Sequence, residues 1–289
     1  MHSAATSTYE QLHSGRGSRL IWFFLLTYAI TMPCFILVAK MFPPSNVTGQ
    51  VLLLVGTFAP SFVAVWLASR EGRIATGELL GRLFVWRVGR QWYLFAAGYI
   101  AVIKLIVALI HRLITGAWPP FGHEAWYVII VALIFSTPVQ AGEEIGWRGY
   151  ALPRLAERMG LAGASILLGV IWALWHLPLF FVSEADTYRQ PFVLYALQVT
   201  AISVTIAWLY ARTNGSLLLV MLFHAAVNNT KDIVPSATAP GHGVFSFHAS
   251  LVFWITVALL WLFAACFLVQ MPKRLEYFSG KADEPTGPV

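Results

Sequence analysis

Two adjacent carboxylates with one arginine, Gly142-Glu143-Glu144-Ile145-Gly146-Trp147-Arg148, are the first residues in this chain whose types and spacing suit chemistry. On a helix, Glu144 and Arg148 are four apart, share a face and can pair. Glu143 is turned roughly a quarter turn away and is left free. One carboxylate is then tied to a cation, and the other is available to take and give a proton, as general-base hydrolysis requires. A charge cluster at a helix end would use the same residues. A second patch is Trp172-Ala173-Leu174-Trp175-His176, followed by Pro178. A single histidine in an apolar stretch serves helix packing as readily as catalysis. A third is His224-Ala225-Ala226-Val227-Asn228, where His and Asn lie on one helical face. Interhelical hydrogen bonding is the plain alternative there too.

The three patches gain meaning together. Ionisable groups in apolar helices are costly, and one shared interior site lets them satisfy each other. His176, His224 and Glu143 also form a ligand set suited to zinc with an open position for water. The second carboxylate would then act as general base. Three other protease chemistries lack their residues, while a Cys–His pair is not excluded by sequence separation alone. The three aspartates, Asp186, Asp232 and Asp283, lie outside the interior of any apolar run, which excludes a paired-aspartate site. His123-Glu124 has no second His to complete a zinc-helix motif. Ser216 after Gly215 lacks a nucleophile-elbow pattern around it.

The elements that must position these groups are membrane helices. Of the 289 residues, 58% are hydrophobic and only 11% charged. A soluble domain carries roughly 25% charged residues. Eight apolar runs approach the length a bilayer demands: 20–42, 49–69, 92–114, 124–142, 161–182, 191–211, 214–230 and 249–271. The expected architecture is an all-α, polytopic transmembrane helical bundle of about eight spans. With the N-terminus in the cytoplasm, the cytoplasmic segments hold Arg16, Arg19, Arg70, Arg73, Arg82, Arg87, Arg90, Arg148, Arg154, Arg158, Arg212, Lys273, Arg274 and Lys281. The outer segments hold Lys40, Arg112, Arg189 and Lys231, and Lys104 lies inside the third run. That asymmetry places both termini in the cytoplasm. It also explains the net charge of +6 without nucleic acid as a partner.

Residues 1–289 read as one integral membrane domain with a core at 125–229. The polar stretches 1–18 and 279–289 are expected to lack structure. No cleavable signal peptide is expected, because the first apolar run is too long for one. Residues 73–92 interleave leucines and aromatics with arginines, the pattern of a helix along the cytoplasmic membrane surface. Cys34 and Cys266 read as small buried apolar residues rather than a disulfide. Lys104 needs a counter-ion or a path to water.

Taken in order, these motifs resemble the CPBP family of intramembrane metalloproteases, which includes the type II CAAX prenyl endopeptidases and bacterial proteins linked to bacteriocin immunity. Glu143, Glu144 and Arg148 match the family's E-E-x-x-x-R. His176 matches its F-x-x-x-H, with Trp172 where Phe is usual. His224 and Asn228 match H-x-x-x-N. The resemblance covers about 125–229. It implies an eight-helix fold with a cavity open to the cytosol. It implies that Glu143 activates water and that Glu144 and Arg148 support it. His176 would orient or ligate the water or a metal, and His224 and Asn228 would stabilise the oxyanion. Zinc is the cofactor the family name suggests; a metal-free, glutamate-activated water agrees with the same residues. The expected partners are the bilayer and a membrane-associated protein or peptide substrate. The expected location is a prokaryotic inner membrane. A non-catalytic family member in immunity or stress signalling, or an ion-coupled transporter, is the alternative to a peptidase. By the span limits above, Glu143 sits near a cytoplasmic helix end, well short of the depth of His176 and His224.

Overall fold

The computed structural model describes residues 2–235 and 243–272, with side chains from residue 18 onward. The expected tail 279–289, with Lys273, Arg274 and Lys281, lies outside the described residues. Regular structure among the described residues is helical. In chain order it comprises α1 (His2–Lys40), α2 (Val47–Glu71), α3 (Arg73–Gly81), α4 (Arg90–Thr115), α5 (Trp126–Ser136) and α6 (Ala141–Glu144). A π-helical turn at Ile145–Ala151 follows, then α7 (Leu152–Trp175), α8 (Phe192–Arg212), α9 (Leu217–Thr230) and α10 (Leu251–Gln270). Local chemistry sets the boundaries. Asn46, Ser216 and Ser250 cap α2, α9 and α10 by accepting from Thr48, Leu219 and Phe253 backbone N–H groups. Gly116, at φ 76°, closes α4 in the left-handed conformation.

Six segments are long and apolar enough to cross a bilayer. Many of their large apolar side chains point outward, among them Trp22, Phe62, Trp66, Leu113 and Phe135. A water-facing surface would not tolerate so many, so the chain is an integral, multi-pass membrane protein. One of the six segments, Trp126–Phe181, is 56 residues long. It doubles back at Gly160, whose φ of 74° and ψ of 163° break the helix. Beyond the break, Trp175 returns to pack edge-on against Trp147 at 6.0 Å.

This reversal corrects the fourth apolar run. The run does not end at residue 142 but continues through α6 and the π-helical turn into the first part of α7. Glu143 therefore lies in the interior of a longer crossing, which removes its apparent mismatch in depth with the histidines. The charges in 143–158 disguised the extension, because hydropathy alone stops at Glu143. At 14 residues, α9 is shorter than a full span.

Other expectations also shift. The polar start of the chain is not structureless: α1 runs from His2, since a helix already nucleated by an apolar span propagates cheaply into polar sequence. Cys34 is buried as expected, but Cys266 is exposed on the outer face of α10. Of the surface helix expected over 73–92, only the first half forms, as α3. It docks through the buried Leu79 and leaves Ile74 exposed; Phe84 and Trp86, beyond its end, are exposed too. Lys104 is 2% exposed, and the charges of Asp232 and Lys231 act on it.

Close approach holds the crossing segments together. Gly146 lies so near α2 that a Cβ would fall 2.6 Å from the Pro60 backbone. Gly169 meets the Thr200 Cα on α8 in the same way, at 2.7 Å. Thr31 of α1 donates to the Gly56 carbonyl of α2 at 2.9 Å, and Ser203 of α8 donates to the Ser165 carbonyl of α7 at 2.9 Å. One end of the bundle gathers Glu71 with Arg154 (2.8 Å), Tyr150 (3.0 Å) and Arg19 (3.8 Å). The opposite end joins Ser45 to Glu184 at 3.0 Å and pairs Lys231 with Asp186.

Candidate active site

The π-helical turn carries Arg148 into the bundle directly after the two glutamates. Such turns mark functional sites often enough to draw notice. Arg148 and Glu144 are both fully buried. Arg148 Nη1 donates to Glu144 Oε1 at 2.8 Å and to Oε2 at 3.1 Å. From α9, His224 Nδ1 meets the same Oε1 at 2.7 Å. A carboxylate only accepts, so Nδ1 carries the proton and Nε2 is the ring's other polar atom. Glu144 is thus the centre of a buried, hydrogen-bonded triad spanning two crossing segments. Breaking such a buried group is costly, which fixes its geometry.

Glu143 is 7% exposed and is not left free, as the helical projection suggests. Its Oε2 accepts from the Trp172 indole N–H at 2.7 Å. Among the described residues no protein group bonds Oε1, so that oxygen remains for water. Trp172 lies on the returning half of α7, one helical turn before His176. The Arg148 guanidinium carbon sits 4.2 Å from the Trp172 ring centroid. Arg148 Nε and Nη2 have no hydrogen-bond partner among the described residues, and the indole face beside the guanidinium is a favourable surface for a cation. The His224 and His176 rings stand edge-on to the same indole at 5.2 Å and 5.5 Å.

His176 terminates α7, and its Nδ1 donates to the Trp172 carbonyl at 2.8 Å. Both histidines therefore have Nδ1 anchored and Nε2 unbonded. Asn228 reaches the cluster less directly, through Gln140 Oε1 at 3.4 Å. The structure thus brings Glu144, Arg148 and His224 into direct contact. It links Glu143 and His176 through Trp172, and leaves Asn228 at the rim. Sequence reasoning had no role for Gln140, and marked Trp172 only as a departure from the motif's Phe. The one available signal was Trp172 itself, a polar-tipped ring where the motif has an apolar one.

Exposure rises from Arg148 and Glu144 through Glu143 to the half-buried His176 and the exposed Asn228. His176 and Asn228 sit at the C-terminal ends of α7 and α9. The site therefore opens toward the end of the bundle that holds Ser45, Glu184 and Lys231. The unbonded Nε2 atoms are the correct tautomer for metal ligation. Even so, among the described residues no three His, Cys, Asp or Glu groups converge closely enough to hold an ion. The arrangement does not fit the zinc site expected of His176, His224 and Glu143.

Residues 123–230 match the family model described as Rce1-like, type II CAAX prenyl endopeptidase. Over this segment the chain is similar to the CAAX protease family. The match spans the segment from the loop before α5 to the end of α9, and so contains every residue of the cluster. The CAAX prenyl protease 2 of Methanococcus maripaludis is 26% identical over 232 residues, covering 73% of this chain and 83% of that protein. Similarity over most of both lengths supports an intramembrane endopeptidase and takes in most of the bundle rather than a separate domain.

Proposed function

We propose that this chain hydrolyses a peptide bond of a membrane-associated protein or peptide by water that Glu143 activates. The observation that carries this reading is the split between the two glutamates. Both oxygens of Glu144 accept from Arg148 or His224, whereas among the described residues Glu143 keeps one oxygen without a protein partner. Glu143 Oε1 takes a proton from water, and the water oxygen attacks the scissile carbonyl carbon. The carbonyl oxygen becomes an oxyanion. Asn228 offers it an amide N–H, and His224 lines the same side. His176, with Nδ1 fixed, turns Nε2 toward the attacking water. Glu143 then passes its proton to the departing amide nitrogen as the C–N bond breaks, which regenerates the carboxylate. Arg148 and Glu144 take no proton in this scheme; they hold His224 in place.

A zinc ion, where present, would supply Lewis-acid polarisation of water or carbonyl. The test is cleavage of membrane-anchored peptides by the purified protein in detergent, with a farnesylated C-terminal peptide and an unprenylated transmembrane peptide as substrates. Treatment with a strong chelator followed by desalting should leave the rate unchanged. Loss of the rate, with recovery on adding Zn²⁺, would put a metal in the reaction. Absence of cleavage of both substrates would favour a non-catalytic member.

For the membrane itself, we propose eight passes in a prokaryotic inner membrane, with the arginine-rich end and both termini in the cytoplasm. The excess of Lys and Arg at that end supports this. The site then opens away from the cytosol, opposite to the opening that the family resemblance implies. Single cysteines placed at Ser45 and Asn214, with Cys34 and Cys266 replaced by Ser, test it in intact cells. A membrane-impermeant maleimide should label the position 45 variant and spare the position 214 variant. The reverse pattern would turn the bundle over and open the site to the cytosol.

A further inference from the structure

We infer that Trp172 is a positioning residue for Glu143, and that its indole N–H aims the catalytic carboxylate. The inference rests on the reading of Glu143 as the base.

The geometry is specific. Trp172 is 3% exposed, and a buried indole N–H needs an acceptor. It finds one in Glu143 Oε2 at 2.7 Å, a short, charge-assisted hydrogen bond. A carboxylate on a two-carbon stem swings freely unless something fixes its plane. Tying down Oε2 leaves Oε1 as the only basic atom and limits rotation about the terminal bond. The indole is itself held. It lies beside Arg148 at 4.2 Å and has His176 and His224 at its edges. His176 is further tied to the Trp172 carbonyl. One rigid side chain thus touches four of the six candidate residues and connects the base to the Glu144–Arg148–His224 triad. Its contact with Glu143 is the one of these that needs the indole N–H.

Phe, usual at this place in the motif, would keep the ring beside Arg148 but has no N–H to give. This chain therefore fixes its base by a bond that the common residue lacks. A structural role alone predicts that any ring filling the same space would serve; a positioning role predicts that removal of one proton matters.

The experiment compares the wild-type protein with Trp172→Phe, and with benzothienylalanine incorporated at position 172, which keeps the outline of Trp and replaces N–H by sulfur. The assay is steady-state cleavage in detergent. For both variants kcat should fall about tenfold to a hundredfold, the scale of one hydrogen bond to a charged group, with KM changed by less than about threefold. In a Glu143→Gln background the same replacements should cost little more, because the two side chains act as a unit. Wild-type kcat in the benzothienylalanine protein would overturn the inference, even if the Phe variant fails to fold. So would a rise in KM alone, which would make Trp172 a substrate contact. If Glu143→Gln is itself fully active, the reading of Glu143 as base fails. If Glu143→Gln is inactive and the isostere is not impaired, only the role of Trp172 fails.

Discussion

Glu143→Gln is expected to lower kcat by about 10²–10⁴-fold, the contribution of a positioned general base, without unfolding the protein. Glutamine has nearly the same shape and can still accept from the Trp172 indole with its carbonyl oxygen. It cannot take a proton from water. The buried triad one residue on is untouched, because Arg148 and His224 bond Glu144 and not Glu143. Thermal unfolding in detergent should therefore give a midpoint close to wild type, while the cleavage rate collapses. A variant that unfolds early would show instead that Glu143 holds the helices together. A variant that cleaves normally would remove the base from the scheme.

Arg148→Met is expected to be the most destabilising single change in the cluster. The guanidinium and the Glu144 carboxylate are both fully buried. Removing the cation alone strands a charge in the interior, which costs about 3–5 kcal/mol. Methionine fills similar volume, so the loss is electrostatic rather than steric. The double change Glu144→Gln with Arg148→Met removes both charges and leaves an oxygen to accept from His224 Nδ1. It should recover much of the lost thermal stability. It should not recover full activity, since Arg148 also packs on the ring that holds Glu143. Recovery of neither property would mean that Arg148 acts through contacts other than Glu144. A single variant as stable as wild type would mean that water reaches Glu144.

The helical, multi-pass architecture was legible from composition, since so few charges cannot clothe a soluble surface. Limits for α2, α4, α8 and α10 follow the apolar runs within a few residues, because in those segments burial and hydropathy agree. The fourth crossing did not follow. Its second half contains Glu143, Glu144 and Arg148, and pairing inside the bundle, not apolar character, keeps them there. Gly160 was the overlooked signal: a glycine after Arg158 that lets the chain double back. The pairing of Glu144 with Arg148 was readable from four-residue spacing. The bond between His224 and Glu144 was not, since no local pattern joins residues 80 apart. The spacing of Glu143 from Arg148 suggested a free carboxylate, and only tertiary packing against α7 brought in Trp172. Asn228 was readable as a neighbour of His224 on α9, but not its reach through Gln140.

The central claim is that Glu143 activates water and does not itself attack the carbonyl. A single turnover in H₂¹⁸O, with enzyme in excess over a membrane-anchored peptide, tests it most directly. Mass spectrometry of the new C-terminal carboxyl and of the proteolytic fragment containing Glu143 reads the outcome. The account predicts one ¹⁸O atom in the product carboxyl and none in Glu143. Unlabelled product with ¹⁸O in Glu143 would contradict it, because the oxygen would then have passed through a covalent acyl-glutamate.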